Sequence, residues 1–488
     1  METPPKSAVL KSAGPQRQEA QNQDQPRRAM SFRDVVLFYV VTGISLRWIP
    51  TAAAAGPSAV TIWIIAWLVF FIPLVFSVLE LSSRHPEEGG LYVWSKSAYG
   101  NFAGFMAAWT YWTSNLPYFP AVLYFAAANA LFIQTGGGHH LSASRTYFIL
   151  FALLGLALPT CLNILGLNLG KWLNNVGAVA TWLPVLIVIV MGMIAWHHFG
   201  PASHFTRQTL VPSLRLKDII FCSTITYALG GCETASFMGG EIENATQTIP
   251  RALIVGGVLV TVAYIVGTVS VLLALPRAEI NDLEGLMQAI ISTANRVRFQ
   301  GIIPLAAIMI TISNLGSAGA YLAATARLPF VAGIDRFLPA AFGSLHPKWR
   351  TPYVALLTQA ACGALFIFLG QAGTSVRGAY DVLISLGVMT YFIPYTFVFA
   401  SMLRLQRERA APGVIRIPGG KPVALALAAV GLASSVITIA LSLVPSPGEP
   451  NKGLAVAKVI LGTVLLLGAG ACIYQIGGRR VRRGMTGH

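Results

Sequence analysis

The segment "VTGISLRWIPTAAAAGPSAV", residues 41–60, places flexible residues and one charge inside a long apolar stretch. The tetrapeptide "TGIS" at 42–45 is followed by Arg47 and Pro50. A break in a membrane helix leaves backbone N–H and C=O groups unbonded, and it is tolerated only where the chain lines a cavity. If this stretch crosses a membrane, it therefore predicts an interrupted helix beside a cavity.

The composition places the stretch in a membrane. Of the 488 residues, 55% are hydrophobic and only 11% are Asp, Glu, Lys or Arg, and the mean hydropathy is +0.65. A soluble protein carries about 25% charged residues. Apolar runs of about 20 residues recur along the chain, which is the length that spans the hydrocarbon layer as a helix. The sequence therefore predicts an all-α polytopic membrane protein.

We predict twelve transmembrane helices and two polar tails. The helices lie near residues 35–55, 58–80, 102–134, 146–165, 174–196, 218–239, 252–275, 301–328, 352–370, 378–403, 421–445 and 454–476. Residues 1–30, with scattered charge and no apolar core, are expected to form a disordered tail that is not a cleaved signal peptide. Residues 478–488 form a basic tail.

The distribution of Lys and Arg predicts the orientation, because basic loops resist translocation. With the N-terminus inside, the cytoplasmic segments hold 23 of the 34 Lys and Arg residues, the outer loops hold 10, and Arg47 is the remaining one. Both termini are therefore expected in the cytoplasm, with the chain in the inner (cytoplasmic) membrane. The net charge of +16 is then explained by topology and by anionic lipid head groups, so no nucleic acid partner is predicted.

A second interruption is predicted in the sixth span, at "YALGGCE", residues 227–233. Interrupted helices at corresponding positions indicate a transporter built from inverted repeats, with the substrate at the breaks. The alternative is that these glycines only allow close helix packing. The occurrence of both interruptions favours a substrate site.

Several other functions have no support in the sequence. We find no phosphate-binding P-loop, no cluster with metal-ligand spacing and no Ser/His/Asp arrangement, so neither catalysis nor a cofactor or metal is predicted. The five cysteines lie in apolar surroundings and are expected to be buried thiols. A channel remains a remote alternative, but the repeated polar rings or carbonyl loops of channel filters are absent.

Four blocks of sequence resemble the amino acid/polyamine/organocation (APC) permeases. They are "ELSSRHPEEGGLYVWSKSAYGNFAGFMAAWTYW" (80–112), "GGEIENATQTIPRAL" (239–253), "ARLPFVAGIDRFLPAAFGSLHPKWRTPYVALL" (326–357) and "VIRIPGG" (414–420). The resemblance implies a LeuT-like fold with an inverted five-plus-five repeat over residues 31–420 and two peripheral helices over 421–477. It implies a secondary active transporter that moves amino acids by alternating access. A polyamine or organic-amine carrier or exchanger of the same fold is the alternative, and the oligomeric state is left open.

The resemblance also implies how a zwitterionic substrate is bound. Its carboxylate would meet backbone N–H groups at the first break, and its ammonium would meet carbonyl oxygens at the second. The residues concerned are Gly43, Ile44 and Ser45 at the first break and Tyr227, Ala228 and Leu229 at the second. Many relatives carry Gly-Ser-Gly at the first break, so the bulkier residues here are expected to change the size of the pocket.

Three tyrosines match gate or pocket positions of the family, where flat rings can close over a ligand. They are Tyr111, Tyr227 and Tyr321. Ordinary packing is the alternative for each of these rings.

Arg47 and Glu233 are the two charges that we place deep in the membrane. A buried unpaired charge is costly, so Arg47 is expected to face the cavity and to pair with Glu233 or with a substrate carboxylate. Snorkelling to outer water is the alternative for Arg47. Glu233 aligns with an acidic residue of many relatives and is expected to couple movement of span 6 to substrate occupancy or to proton binding.

Coupling through a span 5 lysine is not expected. Proton-coupled relatives commonly carry a Lys on this span, but the aligned position here is Thr181. Thr181 and Ser317 could together supply hydroxyl oxygens to a sodium ion, although hydroxyls on membrane helices more often bond the helix backbone. Substrate exchange, or proton coupling through Glu233, is therefore favoured over sodium coupling.

Overall fold

The structure is a computed structural model that describes residues 28–134, 141–213, 216–280, 285–371, 376–408, 411–444 and 452–485. Regular structure in these ranges is helical, and the β contact found there is a bridge between Met30 and Ile242. Our predictions for residues 1–27 and 486–488 lie outside the described residues. Helices are the expected element for a spanning chain, because each satisfies its own backbone hydrogen bonds in lipid.

The described residues of the first half of the chain form eight α-helices. They are α1 Phe32–Gly43, α2 Trp48–Ala53, α3 Ser58–Arg84, α4 Leu91–Tyr99, α5 Asn101–Ser114, α6 Tyr118–Ala130, α7 Arg145–Ile164 and α8 Leu167–Phe199. Within α3, residues Trp67–Phe71 form a π-helical turn.

In the second half, the part of the chain that the structure describes forms nine α-helices and one long 3₁₀ segment. They are α9 Arg207–Leu210, α10 Leu216–Ala228, the 3₁₀ segment Thr234–Glu241, α11 Ala245–Ala274, α12 Gly285–Arg296, α13 Ile302–Ile334, α14 Tyr353–Gln371, α15 Val376–Leu405, α16 Gly420–Leu441 and α17 Lys452–Met485.

The described helices overlap the predicted apolar segments, although several of their bounds differ from the prediction. Eight described helical segments are long and apolar enough to cross a membrane. The third predicted segment is divided between α5 and α6, where Pro117 caps the second helix. Helix α8 begins earlier than predicted, and α17 continues to Met485, beyond the predicted end at 477.

Both predicted interruptions are present. Helix α1 ends at Gly43, Ile44 adopts extended backbone angles, and α2 begins at Trp48. Helix α10 ends at Ala228, and the 3₁₀ segment begins at Thr234. Between them Gly231 has φ of +107°, a conformation that favours glycine. We call residues 42–47 the first break and residues 227–233 the second break; each range includes the last residues of the preceding helix.

Small residues let the helices around the first break approach closely. A Cβ atom added to Gly177 of α8 would lie 2.7 Å from Cα of Gly316 on α13. A Cβ atom on Gly256 of α11 would lie 2.6 Å from Cβ of Tyr39 on α1. Close contact through small residues is the usual basis of helix packing in membranes. Helices α8, α11 and α13 therefore surround α1 and hold its break inside the bundle.

Polar contacts close the end of the bundle at which α1 begins, which we call the α1 end; the opposite end is the α2 end. The backbone N–H of Met30 donates to the carbonyl of Glu241 over 3.1 Å. The Glu241 carboxylate pairs with Arg327 of α13 at 2.6 Å. Asp34 pairs with Lys171 of α8 at 3.3 Å. The start of α1 is thus tied to the 3₁₀ segment and to two long helices.

Candidate functional site

A small cavity of about 20 Å³ lies between the two breaks. Six residues predicted from the sequence line it: Gly43, Ser45, Arg47, Tyr227, Ala228 and Tyr321. A cavity of this size holds about one water molecule. The structure therefore brings these predicted residues together at one closed site, whose walls would have to separate to admit a molecule larger than water.

Seven further residues line this cavity and were not identified from the sequence. They are Thr42, Trp48, Asn115, Tyr118, Gly230, Tyr264 and Tyr391. Most of them are aromatic or small residues within apolar helices, where ordinary packing gives the same pattern. Only the three-dimensional arrangement distinguishes them from core residues.

Tyr264 of α11 connects the two breaks. Its hydroxyl accepts the N–H of Ser45 at 2.9 Å and lies 2.9 Å from the carbonyl oxygen of Gly43 and 3.1 Å from that of Ala228. The Trp63 indole stacks on the Tyr264 ring, with centroids 4.6 Å apart. One rigidly held side chain thus satisfies backbone groups of both breaks.

The backbone N–H groups expected to be free at the first break are largely bonded. The Ile44 N–H donates to the carbonyl of Val40 at 3.0 Å, and the Ser45 N–H donates to Tyr264. Ile44 is buried and does not line the cavity. In this closed arrangement a substrate carboxylate would have to displace Tyr264 to reach Ser45.

The carbonyl groups at the second break are also engaged in part. The Tyr227 carbonyl accepts the Gly230 N–H at 3.2 Å, and the Ala228 carbonyl lies near the Tyr264 hydroxyl. A carbonyl oxygen has two lone pairs, so each can accept a second bond from a ligand. Leu229 instead lines a separate cavity of about 10 Å³ behind the break, together with Cys232.

Arg47 lies at the cavity with only 1% of its surface exposed. Its guanidinium lies 4.6 Å from the ring centroid of Trp48 and 5.6 Å from that of Tyr118, and Tyr227 lines the same cavity. Aromatic faces stabilise a cation in this position. In this arrangement the side chain does not extend to the surface of the bundle.

Glu233 is fully buried at the second break. Its Oε1 accepts hydrogen bonds from the hydroxyls of Tyr111 and Tyr395, the latter at 2.9 Å, and its Oε2 accepts the Gly231 N–H at 3.2 Å. Both oxygens are therefore engaged by groups other than Arg47. The carboxylate joins the second break to α5 and α15.

The three tyrosines expected at gate or pocket positions occupy two different places. Tyr227 and Tyr321 line the cavity, and the Tyr321 hydroxyl donates to the Thr42 carbonyl at 3.0 Å. Tyr227 packs edge-on against Trp48, with centroids 5.4 Å apart. Tyr111 bonds Glu233 and is not part of the cavity wall.

The hydroxyls considered for a sodium ion have separate partners. The Thr181 hydroxyl lies 2.8 Å from the Gly177 carbonyl and 2.7 Å from the Ser313 hydroxyl. The Ser317 hydroxyl lies 2.6 Å from that of Tyr118. Ser313, one turn before Ser317 on α13, is therefore the residue that meets Thr181 in this arrangement.

The sequence of the chain is similar to those of membrane transporters. The profile of the family described as amino acid permease matches residues 29–466. An uncharacterized transporter of Legionella pneumophila is 26% identical over 447 residues, which is 90% of this chain and 95% of that protein. The serine/threonine exchanger SteT of Bacillus subtilis is 25% identical over 82% of this chain and 88% of its own length. The polyamine transporter PUT1 of Oryza sativa is 26% identical over 88% and 75%.

Proposed function

Because the chain belongs to the amino acid permease family of membrane transporters, and is a transporter and not an enzyme, we propose that it moves amino acids across the cytoplasmic membrane by alternating access. The relatives named above include both an amino acid exchanger and a polyamine transporter. The choice between these two substrate classes therefore depends on the chemistry of the cavity.

The charge of Arg47 favours amino acids over polyamines as substrates. Its guanidinium is held beside the cavity by Trp48 and Tyr118, far from solvent. A fixed cation in a desolvated site attracts a carboxylate and repels a polycation, and a hydrogen bond to a charged group contributes about 1.5–3 kcal/mol. Neutral and acidic amino acids are therefore favoured over polyamines as substrates.

The closed arrangement supports transport by alternating access. Ion pairs close the α1 end, and the cavity between the breaks is too small for an amino acid. In the proposed cycle, α1 and the 3₁₀ segment move at the two breaks, with the ten-helix core arranged as an inverted five-plus-five repeat within twelve spans. The α1 end faces the cytoplasm together with both termini, as the excess of Lys and Arg predicts.

Exchange of substrates, or proton coupling through Glu233, drives the proposed cycle. Glu233 links the second break to Tyr111 and Tyr395, so a change in its protonation would alter the contacts of two neighbouring helices. Sodium coupling is disfavoured because the Thr181 and Ser317 hydroxyls have different partners.

Uptake by the full chain in liposomes tests this function. The panel comprises neutral, acidic and basic amino acids and putrescine, each measured with an internal amino acid, a proton gradient or a sodium gradient. We expect saturable uptake of neutral or acidic amino acids, stimulated by internal substrate or by the proton gradient. Preferred uptake of putrescine would support the polyamine alternative, and single-channel currents would support a channel.

The Thr181→Val variant is the control for coupling. It removes the hydroxyl while keeping the shape of the side chain. Uptake by this variant should retain the wild-type response to the three gradients. Strong sodium stimulation that disappears in Thr181→Val would overturn the proposed order of coupling modes.

A further inference from the structure

An apolar cavity lies away from the substrate site. It has a volume of about 350 Å³ and lies between α5, α13 with the segment that follows it, and α17. Its walls include Ala108, Trp109, Ala332, Phe337 and Ile476. The volume corresponds to about a dozen groups of the size of a water molecule. A cavity with these walls is suited to a hydrocarbon chain.

The cavity reaches the outer surface of the bundle near the α1 end. Ile476, one of its wall residues, is 53% exposed. The Gly477 position allows α17 to cross close to the chain after α13, since a Cβ atom there would lie 2.2 Å from the Phe337 carbonyl oxygen. Tyr474 stacks on the Phe337 ring with centroids 4.8 Å apart. These contacts hold α17 in place beside an opening that faces lipid.

Basic residues flank this opening. Arg336 immediately precedes the wall residue Phe337, Arg479 follows Gly477 by two positions, and both arginines are exposed. The neighbouring Asp335 is paired with Lys96 and hydrogen-bonded by Tyr92, so this pair adds no net charge. The two arginines adjoin wall residues of the cavity in the chain, and they bring positive charge beside an apolar interior.

We propose that this cavity binds an anionic phospholipid, with one acyl chain between α5, α13 and α17 and the phosphate head group beside Arg336 and Arg479. Apolar walls select the chain, and the two arginines select a negative head group, since each basic residue near a membrane surface attracts anionic lipid. The site is separate from the substrate cavity. The inference requires only that the bundle lies in a membrane and does not depend on the proposed substrate.

Quenching of tryptophan fluorescence by brominated lipid tests the site, because Trp109 lies in its wall. The full chain in detergent is titrated with phosphatidylglycerol brominated on one acyl chain, and separately with brominated phosphatidylcholine. We expect phosphatidylglycerol to quench at lower concentration. Removing both charges should weaken its binding by about 25-fold, or about five-fold for each arginine.

The charge variant is Arg336→Asn with Arg479→Gln. Asn is chosen because Arg336 has φ of +63°, and Asn tolerates this left-handed conformation. The matched control is Arg251→Gln with Lys421→Gln, which removes two exposed positive charges from the same end of the bundle, away from the cavity. The control should bind phosphatidylglycerol like the wild type.

A second variant, Ala108→Phe, fills the cavity while keeping both arginines, and it should abolish the part of the quenching that phosphatidylglycerol produces at lower concentration than phosphatidylcholine. Quenching of exposed tryptophans outside the cavity, such as Trp172, should remain the same for both lipids. Its folding is checked by gel filtration and thermal unfolding, and the charge variant provides an independent test should it fail to fold. Equal binding of both lipids, or binding unaffected by the arginine variant, would overturn the proposal. Native mass spectrometry distinguishes a second copy of the chain from a lipid as the occupant of the cavity. If Ala108→Phe removes a bound second copy and no bound lipid, the proposal is overturned.

Discussion

The two breaks differ in how their exposed backbone groups are satisfied. At the first break, tyrosines from other helices bond the backbone: Tyr264 reaches Gly43 and Ser45, and Tyr321 reaches Thr42. At the second break, the Gly231 N–H is shared, at 3.2 Å each, between the Tyr395 hydroxyl of α15 and the carboxylate of Glu233, which the break itself supplies. The first break also carries a cation at the cavity, whereas the second carries a carboxylate behind it.

Arg47 and Glu233 therefore do not form an ion pair with a shared role, and each has its own surroundings. Arg47 lies beside the cavity among aromatic rings, where a ligand can reach it when the site opens. Glu233 has both oxygens occupied by protein groups. We therefore expect substitutions of Arg47 to change substrate specificity. Substitutions of Glu233 should change the stability of the second break.

The largest effect is expected from Glu233→Ala. This change leaves the hydroxyls of Tyr111 and Tyr395 without their carboxylate acceptor in a buried site, and the Gly231 N–H keeps only its bond to the Tyr395 hydroxyl. We expect the free energy of unfolding to fall by about 2–4 kcal/mol and transport to be lost. Thermal unfolding in detergent and uptake in liposomes measure the two effects.

Glu233→Gln keeps the shape of the side chain and tests the coupling role. We expect uptake by this variant to lose its dependence on pH. The control is Glu279→Gln, which removes an exposed carboxylate at the α2 end. A wild-type pH profile in Glu233→Gln would mean that Glu233 only stabilises the break.

The second largest effect concerns the pH dependence of the α1 end. Burial, and then the nearby charge of Glu241, raise the pKa of Glu88 to about 8, although Arg327 at 3.9 Å opposes this rise. A raised carboxyl pKa means that the closed arrangement is most stable when Glu88 is protonated. The stability is present at low pH and is lost as the pH rises from about 5 through 8.

Thermal unfolding as a function of pH measures this loss. We expect the wild type to lose on the order of 1 kcal/mol per pH unit between pH 6 and 8. Glu88→Gln, which mimics the protonated side chain, should remove this slope. Glu87→Gln alters the exposed neighbouring residue and should keep it. A slope that persists in Glu88→Gln would assign the pH dependence to another group.

A smaller effect is expected from Tyr264→Phe. The ring should stay stacked on Trp63, but the Ser45 N–H loses its acceptor. We expect a loss of about 1–2 kcal/mol in the free energy of unfolding. Tyr39→Phe is the matched control, because the Tyr39 hydroxyl is buried without a hydrogen-bond partner among the described residues. Equal effects of the two changes would mean that Tyr264 does not join the breaks.

Both breaks were predictable from the sequence, whereas their hydrogen-bond partners were not. Glycine and short polar residues in the middle of an apolar stretch are a local signal, and the structure confirms the interruptions at both places. Tyr264 and Tyr395 lie in apolar helices more than 160 residues away in sequence from groups that they bond, so their patterns resemble ordinary packing. The pairing of Thr181 with Ser313 instead of Ser317 depends on the register between two long helices, which no local pattern specifies.

A matched pair of ligands tests most directly whether Arg47 binds the substrate carboxylate. One is the preferred amino acid, and the other is the amine formed by removing its carboxyl group. Both are measured as competitors of uptake in the wild type, in Arg47→Gln and in Arg47→Lys, which keeps the charge but loses the planar guanidinium. We predict that Arg47→Gln weakens the binding of the amino acid by about 10- to 100-fold, whereas the binding of the amine is unchanged or stronger. If Arg47→Gln weakens the binding of both ligands equally, or of neither, then Arg47 does not bind the substrate carboxylate.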